Sequence, residues 1–213
     1  MLRSFLRICL LAAPLPCAVW CQHWEVGASA GYGLYRDVRV SNGSVSGQTG
    51  FASGVAFGGV FGNETTRHFG GEARYTFRSD DLRVSSGSTT VRAGGQSHAL
   101  HYDLLIHAAP QESRVRPFVA IGGGIKVYRG TGVEPAFQPL SGLIVLTHTT
   151  ETQALISAGA GMKFRLSPRS LVRVDFRDYM TPFPGNLLAR RANTQASGWV
   201  HDFILMVGIS GTF

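Results

Sequence analysis

Alternation of apolar and polar residues is the feature of this chain that most constrains its fold. Beyond residue 22, side chains alternate in character through segments of about ten residues each. Successive side chains point to opposite faces of a β-strand, so a period of two is typical of strands with one apolar face. Eight such segments predict eight strands, at residues 24–35, 51–62, 68–78, 96–107, 117–129, 154–166, 171–180 and 199–213.

The apolar content is spread over these short segments. Hydrophobic residues make up 44% of the chain and charged residues 15%, yet no apolar run beyond residue 21 approaches the roughly 18 residues of a membrane-spanning helix. The 27 glycines show no Gly-X-Y repeat, which excludes a collagen-like chain. The composition therefore favours one all-β domain and argues against a helical membrane protein or a disordered chain.

The connections between the predicted strands alternate in length. Those after the second, fourth and sixth strands are short, at residues 63–67, 108–116 and 167–170. Those after the other strands are long and rich in Gly, Ser, Thr and Asn, at residues 36–50, 80–94, 130–153 and 181–198. In an up-and-down antiparallel sheet this rhythm places every long connection at the same end, which is typical of outer-membrane barrels.

The two faces of the strands indicate which solvent surrounds the barrel. The apolar faces carry bulky and aromatic side chains that would not all fit inside eight strands, whereas the opposite faces combine glycine with charges. A membrane barrel fits this distribution, and a soluble lipocalin-like barrel with an apolar interior is the alternative. We therefore predict an all-β fold, an eight-stranded antiparallel up-and-down transmembrane β-barrel.

The polar faces predict a network of ion pairs in the lumen. Buried charges are tolerated when they are paired and hydrogen-bonded. Such a network would fill the lumen, so general diffusion of solutes is not expected. The predicted acidic members are Glu25, Glu72, Asp103, Asp175 and Asp202. The predicted basic members are Arg74, Arg78, Lys126, Lys163, Arg165, Arg173 and Arg177.

Aromatic residues lie near the ends of the predicted strands. Amphipathic rings favour the head-group zone of a bilayer, so we expect two aromatic girdles. The girdle beside the short connections would contain Trp24, Phe69, Phe164 and Phe213. The girdle beside the long connections would contain Tyr32, Phe51, Phe77 and Trp199.

The first 21 residues have the character of a secretory signal peptide. Arg3 and Arg7 supply a positive start, and an apolar stretch broken by Pro14 and Pro16 follows. Cleavage after Cys21 would remove all three cysteines and leave a mature domain at residues 22–213 without disulfides. The remaining basic residues are dispersed, which argues against nucleic-acid binding.

Three segments carry a family resemblance: residues 116–124 (RPFVAIGGG), 174–179 (VDFRDY) and 207–213 (VGISGTF). With these segments the chain resembles the small outer-membrane β-barrels of Gram-negative bacteria related to OmpX and the OmpA transmembrane domain. The resemblance runs over the whole mature chain and implies a location in the outer membrane, with the short turns in the periplasm. It also implies that the barrel-assembly machinery recognises the C-terminal strand, through Val207, Ile209 and Phe213.

The histidines are candidates for metal binding or catalysis. In the cluster His98, His101, Asp103 and His107, the first would point away from the others, and His101 would lie about 20 Å from His107 at the usual rise of a strand. These residues would not share one ion, so we predict no metal, cofactor or catalytic residue. The enzymatic alternative is an outer-membrane lipid-modifying hydrolase with His201 as its base, on the outer face of the last strand.

The long connections are the predicted place of interaction with other molecules. We expect them to form extracellular loops that contact a surface ligand or lipopolysaccharide, with outer-membrane lipid around the barrel itself. Arg129, Arg190 and Arg191 would lie at the level of lipid phosphates, which guanidinium groups bind well. The sequence thus predicts a structural or surface-interaction role.

Overall fold

The computed structural model describes residues 23–42, 46–131, 138–190, 195–196 and 198–213, and these residues form strands, turns and irregular segments. The predicted signal peptide, residues 1–21, lies outside them. Within the described residues, no helix has the length and apolar character needed to cross a membrane. The strands are β1 (His23–Arg36), β2 (Val38–Ser41), β3 (Ser46–Phe51), β4 (Gly54–Glu64), β5 (Phe69–Ser79), β6 (Leu82–Ser86), β7 (Thr89–His107), β8 (Val115–Thr131), β9 (Ile144–Leu146), β10 (Thr150–Ser167), β11 (Ser170–Pro182), β12 (Leu188–Arg190), β13 (Gln195–Ala196) and β14 (Trp199–Thr212).

Eight of these strands close into an antiparallel barrel. Strand β1 pairs with β4 on one side and with β14 on the other, and the ring continues through β5, β7, β8, β10 and β11. Each barrel strand therefore has two neighbours, and no open edge remains. The predicted eight-stranded antiparallel up-and-down barrel is confirmed.

The barrel has an apolar outside and a charged inside. Leu104 and Ile121 are 60% and 59% exposed on the outer face, whereas Arg173 and Arg177 are fully buried inside. Aromatic pairs also lie on the outside, with the rings of Trp24 and Phe61 stacked at 5.0 Å. This distribution excludes the lipocalin-like alternative, which requires the reverse arrangement.

The connections divide between the two ends as predicted. Residues 65–68, 108–114 and 168–169 form short links at one end. The start of β1 and the end of β14 also meet at this end, because Trp24 and Phe213 exchange two backbone hydrogen bonds of 3.0 Å each. The long connections all lie at the other end, which is the extracellular end of an outer-membrane barrel.

The long connections contain strands and an apolar core, which corrects the expectation of simple loops. Strands β13, β2, β3, β6 and the first part of β7 form a sheet that continues above the barrel, and β9 pairs with β12. We call this part the extracellular sheet; residues 43–45, 132–137, 191–194 and 197 of the connections are outside the described chain. Its apolar side chains turn inward and pack together with Tyr128 and Val200 at the extracellular end of the barrel. The core comprises Val38, Val40, Phe51, Leu82, Val84, Val91, Ala93, Tyr128, Leu143, Ile144, Leu146, Leu187, Leu188 and Val200.

Phe51 shows where the strand prediction was wrong. It ends β3 in the extracellular sheet, buried between the rings of Tyr35 at 4.9 Å and Tyr128 at 4.8 Å. The membrane-crossing strand starts only at Gly54. Phe51 therefore does not belong to the lipid-facing girdle, because the chain breaks its strand at residues 52–53 and the alternation resumes on a different sheet.

Candidate functional site

The centre of the lumen is a cluster of arginines and carboxylates from opposite walls. Strands β5 and β11 are four places apart in the ring of eight, so their inward side chains meet across the axis. Glu72 accepts hydrogen bonds from Arg74 at 2.9 Å, from Arg173 at 3.0 Å and from Arg177 at 2.9 Å. Asp175 accepts a further bond from Arg74 at 2.9 Å. All five side chains are almost fully buried, so the cluster holds the two walls together.

A second group of charges lies at the periplasmic end of the lumen. Lys163 donates to Glu25 at 2.5 Å and to Glu64 at 3.2 Å. Arg116 forms an ion pair with Glu64, and Arg173 reaches down to Glu25 at 3.1 Å. The periplasmic group is therefore continuous with the central cluster.

A third group lies at the extracellular end, below the apolar core. Lys126 donates to Asp202 at 2.5 Å, and Arg78 forms ion pairs with Asp202 and, at 2.9 Å, with Asp80. The Tyr35 hydroxyl donates to Asp80 at 2.9 Å and accepts from Lys126 at the same distance. These contacts connect the charged lumen to the floor of the extracellular sheet.

One predicted member of the network lies elsewhere. Arg165 is exposed and donates to the backbone oxygen of Gln111, because β10 continues beyond the periplasmic rim of the lumen. The structure brings the other eleven predicted residues together in the lumen: Glu25, Glu72, Arg74, Arg78, Asp103, Lys126, Lys163, Arg173, Asp175, Arg177 and Asp202.

Three charged residues of the network were missed from the sequence. Extending the inward series by two positions would have found Glu64 after Gly62 and Asp80 after Arg78, and Arg116 precedes the first predicted residue of its strand. With these additions, the acids and bases that the structure describes in the lumen are equal in number. They are Glu25, Glu64, Glu72, Asp80, Asp103, Asp175 and Asp202 against Arg74, Arg78, Arg116, Lys126, Lys163, Arg173 and Arg177.

The histidine cluster is divided between the two faces of β7, as predicted. His98 points outward and lies 2.7 Å from the Tyr75 hydroxyl. His101 points inward, where its two ring nitrogens contact Asp103 and the Tyr179 hydroxyl at 2.9 Å each. Among the described residues, no group of three or more His, Cys, Asp or Glu side chains could hold a metal ion.

His201 lies on the outer face of β14, where the sequence placed it. Its Nδ1 lies 2.8 Å from Asp178 of the neighbouring strand, and its ring stacks near Phe203. A hydrolase of the serine type would also require a nucleophile, and the contacts of His201 in the described chain include no serine hydroxyl.

The C-terminal strand presents its predicted assembly residues outward. Val207 and Ile209 are more than half exposed on the outer face, and Phe213 follows the end of the strand. Strand β14 pairs with β1 from His201 to Thr212, so it is the strand that closes the barrel.

Comparisons with known proteins agree with this geometry. The model of a protein family described as "Outer membrane protein beta-barrel domain" matches residues 8–210 of this chain. Solved structures with the same fold include the Neisserial surface protein A, at 12% identity and a TM-score of 0.55, with 89% of this chain and 97% of that chain covered. OprG from Pseudomonas aeruginosa is similar at 12% identity and a TM-score of 0.59, with coverage of 90% and 95%. No curated protein sequence matches. The chain belongs to the outer membrane protein beta-barrel domain family and is an integral protein of the bacterial outer membrane.

Proposed function

We propose that this barrel is a closed, non-enzymatic scaffold and that its role is to display the extracellular sheet for interaction at the cell surface. The observation that carries the proposal is the filling of the lumen. Arg74, Arg78, Arg173 and Arg177 are the largest fully buried side chains in the described chain, and their ion pairs span the barrel from wall to wall. A lumen filled in this way supports a structural role better than transport.

The folded state of the long connections supports a role in recognition. A surface that is already ordered loses little conformational entropy when it binds a partner. The inner face of the extracellular sheet is held by its apolar core, while its outer face remains available. Partners would therefore meet a preformed surface built from parts of residues 36–50, 80–94, 130–153 and 181–198.

Two further partners follow from the location. Lipid and lipopolysaccharide would surround the apolar outer face, and the barrel-assembly machinery would engage Val207, Ile209 and Phe213 during insertion. Of the arginines predicted to meet lipid phosphates, Arg129 is exposed on β8, whereas the side chains of Arg190 and Arg191 lie outside the described part.

Two measurements test the proposal together. Purified protein in planar bilayers should give no stable ion conductance, and a steady open channel would overturn the closed scaffold. Cells that express the protein should bind a panel of immobilised surface glycans and matrix proteins. Cells that express a variant with the β6–β7 hairpin shortened should lose that binding while the barrel remains heat-modifiable on gels. Equal binding by both cell types would contradict a role for the extracellular sheet.

The contact between His201 and Asp178 favours the hydrolase as a second candidate function. An acid–base pair at the lipid-facing surface could activate a nucleophile toward a lipid ester. Mass analysis of lipid A from cells with the protein, without it and with His201→Ala distinguishes the two candidates. A scaffold leaves the acyl pattern unchanged in all three, whereas loss of an acyl chain that depends on His201 would replace the scaffold with the hydrolase.

A further inference from the structure

The outer face of the extracellular sheet carries arginines in neighbouring positions. Because Val38, Val40, Val84 and Val91 turn into the core, the residues between them turn to solvent. The register places Arg39 opposite Gln48, and Gln48 in turn opposite Ser85. It also places Arg83 directly opposite Arg92 on the next strand. We call this face, with Arg39, Gln48, Arg83, Ser85 and Arg92, the arginine face.

The pairing of Arg83 with Arg92 is unfavourable by itself. Like charges directly opposite each other in an antiparallel pair destabilise the sheet. Asp37 compensates Arg83, with Oδ2 at 2.5 Å from the guanidinium, and it reaches Arg83 by passing over Gly50. Within the described residues, no side-chain contact compensates Arg92 or Arg39. An anion bound at this face would therefore supply Arg39 and Arg92 with the counter-charge that they lack.

The height of the arginine face above the bilayer indicates the anion. Trp199 is half exposed at the extracellular end of β14, where the outer aromatic girdle and the head-group level are predicted. Arg36 pairs in register with His201, which lies two residues below Trp199 on β14, and Arg39 follows three residues later, about 10 Å further along the chain at most. An open groove of about 750 Å³ lies here, lined by Arg36, Asp37, Arg39, Gln48, Trp199 and His201. Arg36 and Arg39 thus lie close to the level of Trp199, where the phosphates of outer-leaflet lipids are expected.

We propose that the arginine face and this groove bind the phosphate groups of lipopolysaccharide in the outer leaflet, with Arg39 and Arg92 as the main contacts. Guanidinium groups bind phosphate oxygens through two parallel hydrogen bonds, and the uncompensated charges supply the complementarity. The proposal rests on the proposed function, because it names a partner for the extracellular sheet. Binding of these phosphates attaches the extracellular sheet to the membrane surface beside the barrel.

The test compares variants of the refolded protein in detergent micelles. Purified lipopolysaccharide is titrated in its phosphorylated and chemically dephosphorylated forms, and binding is followed by tryptophan fluorescence. The double variant with Arg39→Gln and Arg92→Gln should bind the phosphorylated form about ten-fold or more weakly than the wild type. The matched control is Arg169→Gln, an exposed arginine in the periplasmic turn between β10 and β11 that should bind as the wild type does. Heat-modifiable migration shows that each variant is folded.

The outcomes separate the inference from its rivals. Loss of affinity in the double variant, together with weak binding of dephosphorylated lipopolysaccharide by the wild type, supports the proposal. Equal affinity of the wild type and the double variant for phosphorylated lipopolysaccharide overturns the proposal. The proposal is also overturned if the wild type binds heparin more tightly than lipopolysaccharide, or binds inorganic phosphate with an affinity equal to that for lipopolysaccharide. If the shortened hairpin still abolishes cell-surface binding in that case, the proposed function stands and only the lipid partner is wrong.

Discussion

Individual charges in the lumen are stabilised by several partners each. Arg173 is fully buried and donates to Glu25, Glu72 and Asp175 at 3.0 to 3.1 Å. A buried ion pair contributes little net stability compared with an apolar pair, but removal of one member leaves the others charged and unpaired. The loss of folding stability caused by a substitution in the lumen therefore depends on how many buried charged groups lose an ion pair.

Substitution Arg173→Ala should destabilise the barrel strongly. Loss of the guanidinium leaves three buried carboxylates with one cation fewer, at a cost of about 3–5 kcal/mol. The melting temperature of the refolded protein in micelles should fall by several degrees. Arg169→Ala, at an exposed turn, serves as the control and should leave the melting temperature unchanged. Equal melting temperatures for the two variants would show that the network does not stabilise the barrel.

Glycines on the inner face of β8 allow the neighbouring strand and its charges to approach. A Cβ on Gly122 would lie 2.0 Å from the carbonyl oxygen of Tyr102 and 2.7 Å from the Cα of Asp103. Both atoms belong to the backbone of β7, which cannot move away without loss of pairing. The high glycine content therefore has a steric cause at such positions.

Substitution Gly122→Ala should reduce the yield of folded barrel. The added methyl group requires β7 and β8 to separate, because two of the three nearest atoms belong to the backbone of β7 and the third is the Asp103 carboxylate, which is held in the lumen network. The fraction of folded protein after refolding into micelles, measured on unboiled gels, reports the effect. Gly142→Ala, which meets no atom within 4 Å, is the matched control. The steric explanation is wrong if both variants fold equally well.

At the scale of elements, the extracellular sheet is a second folded layer that shares strand β7 with the barrel. Strand β7 runs from Thr89 to His107, so its first part belongs to this sheet and its remainder to the barrel wall. Phe51, Tyr35 and Tyr128 join the two layers by ring contacts. The upper layer can therefore loosen while the barrel below it stays closed.

Substitution Phe51→Ala should loosen the extracellular sheet and spare the barrel. Loss of a buried phenylalanine costs about 3–5 kcal/mol, and this cost falls on the small upper layer. Protease added to intact cells should cleave the variant much faster than the wild type, with migration on unboiled gels retained. Phe57→Ala, which removes a lipid-facing ring that is 53% exposed, should show no faster cleavage. Cleavage at the wild-type rate in Phe51→Ala would contradict a packed upper layer.

At the scale of the whole molecule, closure removes every open strand edge from the bilayer. Each barrel strand pairs with a neighbouring strand on both sides, from β1 and β4 around to β14. In lipid, an unpaired edge would be costly because no water is present to satisfy it. We therefore expect the barrel to unfold as one cooperative unit.

Closure predicts heat-modifiable migration in gel electrophoresis. The folded barrel should resist detergent without heating and migrate differently from the boiled chain, because its backbone bonds open together or not at all. The same mature chain kept in urea is the control and should migrate as the boiled form. Identical migration before and after boiling would be incompatible with a closed barrel.

Much of the barrel could be predicted because alternation repeats over long segments, as in residues 96–107, where His101 and Asp103 alternate with Leu100 and Tyr102. Short elements could not be assigned in this way. Val38 and Val40, or Leu82 and Val84, alternate as a lipid-facing strand would, yet they face a core above the membrane. Arg165 continues the inward series of β10 but lies beyond the rim. Where each strand leaves the lumen depends on its neighbours.

The amino-acid pattern is sufficient to predict the number of barrel strands, their antiparallel order, the face that meets lipid and the end that carries the long connections. These properties follow from a local period of two and from connection length, which need no knowledge of distant contacts. The three-dimensional arrangement was needed to show which charges pair across the lumen, that Glu64, Asp80 and Arg116 balance the set, and that the described parts of the long connections fold over an apolar core. Those features depend on the register between strands far apart in sequence, and a shift of one residue would turn each side chain to the opposite face.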